Sequence, residues 1–315
     1  MEENIFKPDF SNINIDRSIP TISISGVLDS MEKPFDQEGV AEKTYDNNFN
    51  NPKSQYYQKS IQEIIDMWQA KGADSRHYGS LLDDYIGLRL NDKTPEGQIY
   101  GELLLWKMDN NFDNDDRLKG LAKSFDDFYS LLSKSGDTIF IDREKTVYYK
   151  IEVENPISEG KIEYYVKGRF DALFYNKRTN KWIIIDWKSS GSIDKVPTRY
   201  TEKFLGPMCK YPALNYYRYT NQLHFYKKTL LENYLPNGTN PDDVVIMIVN
   251  LPGKVIEESG QDYMTHLAGM KYDPILLDQI YTFAIQKKLL EKPEKKQETK
   301  EEVIIEQSDN IENLF

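Results

Sequence analysis

The stretch that most constrains the fold is "KWIIIDWKSS", residues 181–190. Its apolar residues occupy successive positions, which is typical of a strand that is buried on both faces of a central sheet. Asp and Lys are seldom fully buried unless they are paired. Residues i and i+2 of a strand share a face. Asp186 and Lys188 therefore predict a polar site where this strand leaves the core.

A second carboxylate lies close to this strand in sequence. The stretch 161–175 is rich in β-formers, and the polar turn 176–180 joins it to the central strand, so Asp171 can lie beside Asp186. Paired carboxylates are typical ligands of Mg²⁺ and Mn²⁺, with water and a substrate phosphate as the other ligands. An ammonium nearby can orient the attacking water or stabilise developing charge. The same residues also suit a cross-strand salt bridge at the sheet edge.

Hydrophobic spacing predicts helices before and after a sheet core. Ser60 and Glu63 are spaced as a capping box, and Gly72 is expected to end the helix that begins there. This order of elements predicts an α/β or α+β fold, with a central mixed β-sheet flanked by helices and a helical N-terminal region. The predicted helices cover residues 60–72, about 79–90, about 121–132, about 213–234 and 274–290; the predicted strands cover residues 146–153, 161–175, 181–189 and 244–251.

Charge and cysteine content narrow the function classes. The net charge of −11 argues against a general nucleic-acid coat. No apolar run approaches the roughly 20 residues that span a bilayer, and the acidic N-terminus lacks the basic-then-apolar order of a signal peptide. The single cysteine, Cys209, excludes a disulfide framework and an iron–sulfur cluster on four cysteines of this chain. The cytoplasm is the expected location, and no membrane partner is expected.

Two motifs resemble those of a known superfamily. "GRFDAL" followed by "IIIDWKSS" resembles the core of the PD-(D/E)XK nucleases, in which an Asp on one strand and a D/E-X-K on the next hold the metal. Gln222 and Tyr226 stand four residues apart in the predicted helix that follows, so their side chains share one helix face. This spacing resembles the QxxxY motif of the RecB-like branch.

The resemblance covers residues 20 to about 250, because residues 19–43 and 62–86 are similar to the opening of RecB-like exonucleases of phages and of the mitochondrial genome maintenance exonuclease. It implies one nuclease domain over residues 21–290, with a helical part at about 55–135 and a catalytic sheet core at about 140–255. A polar segment, 1–20, precedes this domain, and an acidic tail, 291–315, that is expected to be disordered follows it.

The resemblance implies a metal-dependent DNA exonuclease that uses Mg²⁺ or Mn²⁺, without an iron–sulfur cluster. Asp171 and Asp186 would be metal ligands and Lys188 would act at the attacking water. The expected partner is DNA with a free end, in phage-type or mobile-element replication, recombination or repair. A catalytically silent DNA-binding or scaffold protein of the same fold is the alternative.

Two further metal ligands are implied less directly. Where these nucleases carry the His of a G-x-x-x-H motif, this chain has Asp83. An Asp oxygen can also ligate Mg²⁺ or Mn²⁺, although a solvated acid on a polar helix face is the ordinary alternative. The family usually adds one acid before the Asp strand, and Glu152 is favoured over Glu154 for this position. Both glutamates would otherwise face solvent.

A basic segment follows the D-X-K strand. Residues 195–228 contain seven basic residues, one acidic residue and several tyrosines, a combination that can bind phosphates and stack on bases. The alternative is that most of the tyrosines pack in the core and the lysines are solvated. Ser189, Lys210 and Arg218 join Gln222 and Tyr226 as candidates for DNA binding or positioning. The tail end "EVIIEQSDNIENLF" is a candidate docking peptide for a replication or recombination protein.

Overall fold

A computed structural model describes residues 6–11, 15–91, 98–190, 193–199, 201–254, 261–267 and 269–291. These residues form seven α-helices and eight β-strands. In chain order the elements are β1 (Thr21–Ser23), α1 (Ile24–Ser30), α2 (Gln37–Asn48), α3 (Ile61–Leu90), α4 (Gln98–Asp109), α5 (Asp116–Ser133), β2 (Thr138–Arg143), β3 (Thr146–Glu154), β4 (Lys161–Arg169), β5 (Ala172–Asn176), β6 (Lys181–Lys188), α6 (Asn215–Asn233), β7 (Val244–Asn250), β8 (Met264–Leu267) and α7 (Pro274–Glu291).

The strands form two mixed sheets, and the predicted mixed α and β class is confirmed. The smaller sheet has the order β1-β4-β3, and the larger has the order β2-β5-β6-β7-β8. In the larger sheet β6 is parallel to β7, while the other neighbouring pairs are antiparallel. The predicted single central sheet is therefore two sheets, with the "KWIIIDWK" strand in the middle of the larger one.

Helices cover both faces of the larger sheet. Ile184 of β6 belongs to a core that includes Leu223 and Phe225 of α6. Its neighbour Ile185 belongs to a second core, which includes Phe125 of α5. Alternate residues of β6 thus enter different layers, and this alternation fixes the face from which Asp186 and Lys188 project.

The N-terminal helical region differs from its prediction at Gly72. The residues expected to form two helices form the single 30-residue helix α3, which begins with the predicted capping box of Ser60 and Glu63. A glycine inside a helix costs about 1 kcal/mol relative to alanine, which the good helix formers around it and the packing of α3 against α2 and α5 offset. No helix among the described residues is both long and apolar enough to cross a membrane.

The stretch predicted as one strand, residues 161–175, is divided between the two sheets. β4 ends at Arg169 in the smaller sheet, and β5 begins at Ala172 in the larger one. Phe170 and Asp171 form the crossing between them, and the Phe170 side chain is buried at this junction. Asp171 therefore lies at the point where the sheets meet rather than within a strand.

Candidate active site

The larger sheet brings Asp171, Asp186 and Lys188 together. Ala172 at the start of β5 pairs with Ile185 of β6, which places Asp171 beside Asp186. The backbone N–H of Trp187 donates to Oδ2 of Asp171 at 2.8 Å. Lys188 projects from the same face of β6 as Asp186, and its Nζ lies 2.7 Å from Oδ2 of Asp186. Strand pairing therefore produces the convergence that the sequence pattern predicts.

Asp186 is the most deeply buried member of this group, at 1% exposure. Its Oδ1 atom has no hydrogen-bond partner among the residues that the structure describes. Buried polar atoms are usually hydrogen-bonded, because an unpaired one costs about 1–3 kcal/mol. An acid that is kept in such a position is a candidate for binding a group from outside the chain.

Burial shifts the pKa values of both acids upward. Burial, with the neighbouring Asp186 carboxylate, raises the pKa of Asp171 to about 7. Burial also raises the pKa of Asp186, against the opposing effect of the Lys188 ammonium. For Lys188 burial acts to lower the pKa, but the Asp186 and Asp171 carboxylates outweigh it and hold the pKa above its usual value. Perturbed acids in a cleft are typical of functional sites.

Asp171 and Lys188 open into a cleft of about 260 Å³ between the sheet and α3, and Asp186 lies buried behind them. On the sheet side the cleft is lined by Asp171, Lys188 and Ser189, so the structure places the predicted positioning residue Ser189 at the cleft. Gly79 and Asp83 line it from α3, which brings the predicted ligand Asp83 to the opposite wall. The cleft is therefore the opening through which a molecule from solution can reach Asp171 and Lys188.

Asp83 reaches the cleft already paired with an arginine. Nη2 of Arg143, at the end of β2, donates to Oδ1 of Asp83 at 3.0 Å and to the Asp83 carbonyl oxygen at 3.3 Å. Burial raises the pKa of Asp83, and the Arg143 charge opposes that shift. Asp83 is thus an ion-paired carboxylate at the wall of the cleft, with its side chain 39% exposed.

Two charged residues of the cleft have no counterpart in the sequence predictions. Glu144 follows β2 in the turn "DREK", residues 142–145, with a φ of 51°. Its backbone N–H donates to the Asp171 carbonyl oxygen at 3.2 Å. Arg169, at the end of β4, lies with Nη2 3.4 Å from Oε1 of Glu144. Neither residue belongs to a recognisable motif; only the charged turn and the "GRFD" context draw attention to them.

Gln222 and Tyr226 support the Asp171 crossing from behind. The Gln222 amide donates to the Tyr226 hydroxyl at 2.8 Å, and that hydroxyl donates to the Arg169 carbonyl oxygen at 2.7 Å. A Cβ at Gly168 would lie 2.7 Å from the Tyr226 ring and 2.8 Å from the Phe225 ring. The glycine of "GRFD" therefore lets α6 approach closely enough for Tyr226 to fix the backbone two residues before Asp171.

Three other predicted site residues lie away from the acid pair. Glu152, on β3 of the smaller sheet, pairs with Lys161 at 2.7 Å on an exposed face, so the structure corrects its predicted place at the metal site. Arg218 is held by Glu32 at 2.8 Å and Asp29 at 2.6 Å, which ties α6 to α1 and does not support the predicted phosphate contact. Lys210 is exposed on the loop before α6.

The basic segment is less available than its sequence suggests. Lys227 and Lys228 are buried, and Tyr216 is buried with its hydroxyl donating to the Leu267 carbonyl oxygen. Tyr219 packs against Lys188, with its ring centroid 4.5 Å from Nζ of Lys188. Most of the predicted base-stacking tyrosines that the structure describes therefore pack against the core, and Tyr219 is the one that contacts Lys188.

The donor set fits a hard divalent cation. The two carboxylates are oxygen donors, which Mg²⁺ and Mn²⁺ prefer, and Oδ1 of Asp186 is buried without a partner among the described residues. Mg²⁺ usually keeps several waters and takes one or two protein carboxylates. Asp171 and Asp186 are therefore the residues that would hold such an ion.

Comparison with known proteins gives no family. A scan against protein-family models finds no match, and none of the curated proteins matches the sequence. The likeness to PD-(D/E)XK nucleases remains a prediction that depends on the motifs and on the geometry of this cleft.

Proposed function

We propose that this chain is a metal-dependent deoxyribonuclease that hydrolyses phosphodiester bonds from DNA ends. The observation that carries this proposal is the adjacent pair of Asp171, at the cleft, and Asp186, buried behind it, with Lys188 beside both. Two carboxylates whose pKa values are raised, together with an ammonium, cost more free energy than a purely structural ion pair needs. Carboxylates that hold a metal ion and an ammonium beside them can supply the nucleophile activation and charge stabilisation that phosphodiester hydrolysis needs.

Asp171 and Asp186 would hold Mg²⁺ or Mn²⁺, and when bound this ion supplies positive charge beside the phosphate and lowers the pKa of water. Lys188 carries a positive charge into the cleft, where it can orient the attacking water or stabilise the charge that develops on the phosphate oxygens. Its ammonium is fixed between Oδ2 of Asp186 at 2.7 Å and the Tyr219 ring at 4.5 Å. This two-sided contact restricts the position of the ammonium before a substrate arrives.

Several residues act by positioning these groups. Tyr226 and Gln222 hold the backbone at Arg169, and the Trp187 N–H fixes Oδ2 of Asp171. Because the reacting groups must lie within fractions of an ångström of their working geometry, such supports affect the rate without taking part in the chemistry. Ser189 lines the cleft beside Lys188, where a substrate phosphate can contact its hydroxyl.

Digestion of end-labelled linear DNA and covalently closed circular DNA tests the proposal, each with Mg²⁺, with Mn²⁺ and with EDTA. We expect the linear substrate to be shortened from its ends, the circle to stay intact, and EDTA to stop the reaction. The Asp186→Asn variant should be inactive under the same conditions. Cleavage that persists in EDTA would rule out the metal-dependent reaction, and cutting of the circle would replace end cleavage by internal cleavage.

A catalytically silent DNA-binding protein is the second candidate. The pairing of Asp83 with Arg143 favours it, because the residue that departs from the related nucleases is occupied by a cation of the chain itself. This candidate predicts DNA binding by the folded protein without cleavage in either metal. The tail peptide lies outside the described residues, so its docking on a replication or recombination protein stays a prediction.

A further inference from the structure

Arginines of the chain neutralise one half of the cleft. Nη2 of Arg143 lies 3.0 Å from Oδ1 of Asp83 and 4.0 Å from Oε2 of Glu144. Nη2 of Arg169 lies 3.4 Å from Oε1 of Glu144. Two carboxylates of the cleft therefore have guanidinium partners, while the Asp171–Asp186 half contains a buried oxygen that has none among the described residues.

The guanidinium of Arg143 packs directly against helix α3 at Gly87. A Cβ at Gly87 would lie 1.6 Å from Nη1 and 2.8 Å from Cζ of Arg143, so the guanidinium crosses the helix where only glycine leaves room. Asp83 and Gly87 are four residues apart and share a helix face. The arginine side chain is only 16% exposed. Its position is thus a fixed feature of the packing rather than one arrangement of a surface side chain.

The charges of the cleft favour one added divalent cation over two. The carboxylates of Asp83, Glu144, Asp171 and Asp186 carry four negative charges when ionised. Three side chains carry positive charge beside them: Arg143, Arg169 and Lys188. The formal balance of −1 becomes +1 with one divalent ion and +3 with two. A second ion near Asp83 and Glu144 would also meet the guanidinium of Arg143 at close range.

We infer that Arg143 occupies the place of a second metal ion, so that the site takes a single divalent cation on Asp171 and Asp186. This inference depends on the proposed metal-dependent function. Arg143 pairs with Asp83 and lies 4.0 Å from Glu144, and its packing over Gly87 keeps it there. Arg169 neutralises the rest of the Glu144 charge. Removal of the Arg143 charge frees carboxylate oxygens that a second cation can bind.

The number of Mn²⁺ ions bound per chain tests this inference. Isothermal titration calorimetry without DNA measures that number. We expect one ion for the wild type and two for Arg143→Met. We expect the double variant Arg143→Met/Asp83→Asn to return to one ion, because the freed carboxylate is then missing. Arg89→Met is the matched control, since it removes a different arginine, one of α3, from its ion pair with Asp126, and should leave one ion bound.

Circular dichroism establishes that each variant is folded before titration. If Arg143→Met does not fold, Arg143→Gln replaces it, since glutamine keeps a hydrogen-bond donor to Asp83 but has no charge, and two ions are again expected. Two ions on the wild type, or one on the folded uncharged variant, would overturn the role of Arg143. No Mn²⁺ on the wild type would instead overturn the proposed metal-dependent function, so the two failures are distinguishable.

Discussion

Two lysines, Lys188 and Lys228, lie in similar ion clusters at different places in the fold. Nζ of Lys188 is 2.7 Å from Asp186, and Nζ of Lys228 is 2.7 Å from Glu232 and 3.4 Å from Asp278. Each ammonium also faces a tyrosine ring, at 4.5 Å for Lys188 and 4.8 Å for Lys228. The pKa of both lysines is held above its usual value by their carboxylate partners, against the opposing effect of burial.

The clusters differ in which partner is buried. Around Lys228 the lysine is buried at 5% exposure, while Glu232 and Asp278 are 44% and 42% exposed. Around Lys188 the acid is buried instead, at 1%, and the lysine is 22% exposed toward the cleft. Water can solvate the acids of the first cluster, whereas the buried acid of the second lacks such compensation. The first cluster thus has solvent-compensated acids, whereas the second leaves Oδ1 of Asp186 buried without a partner among the described residues.

The largest effect should come from removing the buried acid. We expect Asp186→Asn to lower the rate of DNA cleavage by at least about a thousandfold, because the variant loses the negative charge that would hold the cation. Asp278→Asn is the matched control, since it removes an acid from the Lys228 cluster and should change the rate by less than about threefold. Single-turnover cleavage of end-labelled DNA measures both.

The contrast between the two lysine clusters fails if Asp186→Asn and Asp278→Asn change the cleavage rate equally. Equal losses of activity in folded Asp186→Asn and Asp278→Asn would show that the buried acid has no special part in cleavage. Full activity of Asp186→Asn would remove that residue from the mechanism. Retained far-ultraviolet circular dichroism separates either result from loss of folding.

Removal of the other lysine should affect stability rather than cleavage. Lys228→Met leaves Glu232 and Asp278 without their shared cation, and because both acids reach solvent we expect a loss of about 1–3 kcal/mol in the free energy of unfolding. Urea denaturation followed by circular dichroism measures this loss. Cleavage per folded molecule should stay within about twofold of the wild type, and a rate loss like that of Asp186→Asn would contradict the structural role.

The support behind Asp171 should contribute less than the acid itself. Tyr226→Phe keeps the buried ring but removes the hydroxyl that donates to the Arg169 carbonyl oxygen and accepts from Gln222. We expect about a tenfold lower kcat with little change in KM for DNA, since the loss of a supporting hydrogen bond typically costs about 10–100-fold. Gln222→Ala should lower kcat by a smaller factor, because the bond from Tyr226 to the backbone remains.

A different outcome would change the role assigned to α6. If Tyr226→Phe were as inactive as Asp186→Asn while it still bound DNA, the hydroxyl would act in the chemistry rather than in positioning. If KM rose and kcat stayed constant, the hydroxyl would contribute to substrate binding. Steady-state kinetics on end-labelled DNA distinguishes these cases.

Local patterns predicted the centre of the site because strand periodicity is short-range. The i, i+2 spacing of Asp186 and Lys188 fixes a common face whatever the rest of the fold does. The turn before β6 brings Asp171 beside them through the nearest antiparallel neighbour. The Gln222 and Tyr226 spacing likewise fixes a shared helix face. Because these features involve only one or two neighbouring elements of secondary structure, they could be predicted from the sequence.

The walls of the cleft could not be predicted in the same way. Arg143 and Glu144 reach it because β2 pairs with β5 across a long stretch of sequence, and no local pattern indicates that pairing. Glu152 was predicted as the acid before the Asp171 strand, yet it lies in the smaller sheet because β3 pairs with β4 rather than with a strand of the larger sheet. The ion pairs of Arg218 with Asp29 and Glu32 are also long-range contacts. Its basic neighbours in sequence suggested a DNA contact instead.

The smallest expected effect is the change with pH in the free energy of unfolding of the metal-free protein. Burial and the Asp186 carboxylate raise the pKa of Asp171 to about 7, from an ordinary 3.8. The folded state therefore binds more protons than the unfolded state between these values, and the stability from this group, present below pH 3.8, is lost as the pH rises through about 7. A shift of one pKa unit corresponds to about 1.4 kcal/mol. Because Asp171 is partly accessible from the cleft, we expect only about 1 kcal/mol between pH 5 and pH 8.

Asp171→Asn isolates this contribution. Asparagine keeps an oxygen that can accept from the Trp187 N–H, but it has no proton to lose. In EDTA, the wild type should therefore lose about 1 kcal/mol more free energy of unfolding between pH 5 and pH 8 than the variant does, as measured by urea denaturation at each pH. Asp278→Asn should follow the wild-type profile, because its acid is half-exposed in the Lys228 cluster. Parallel profiles for the wild type and Asp171→Asn would show that the acid pair places no ionisation cost on the fold, and the distinction drawn between the two lysine clusters would then be wrong.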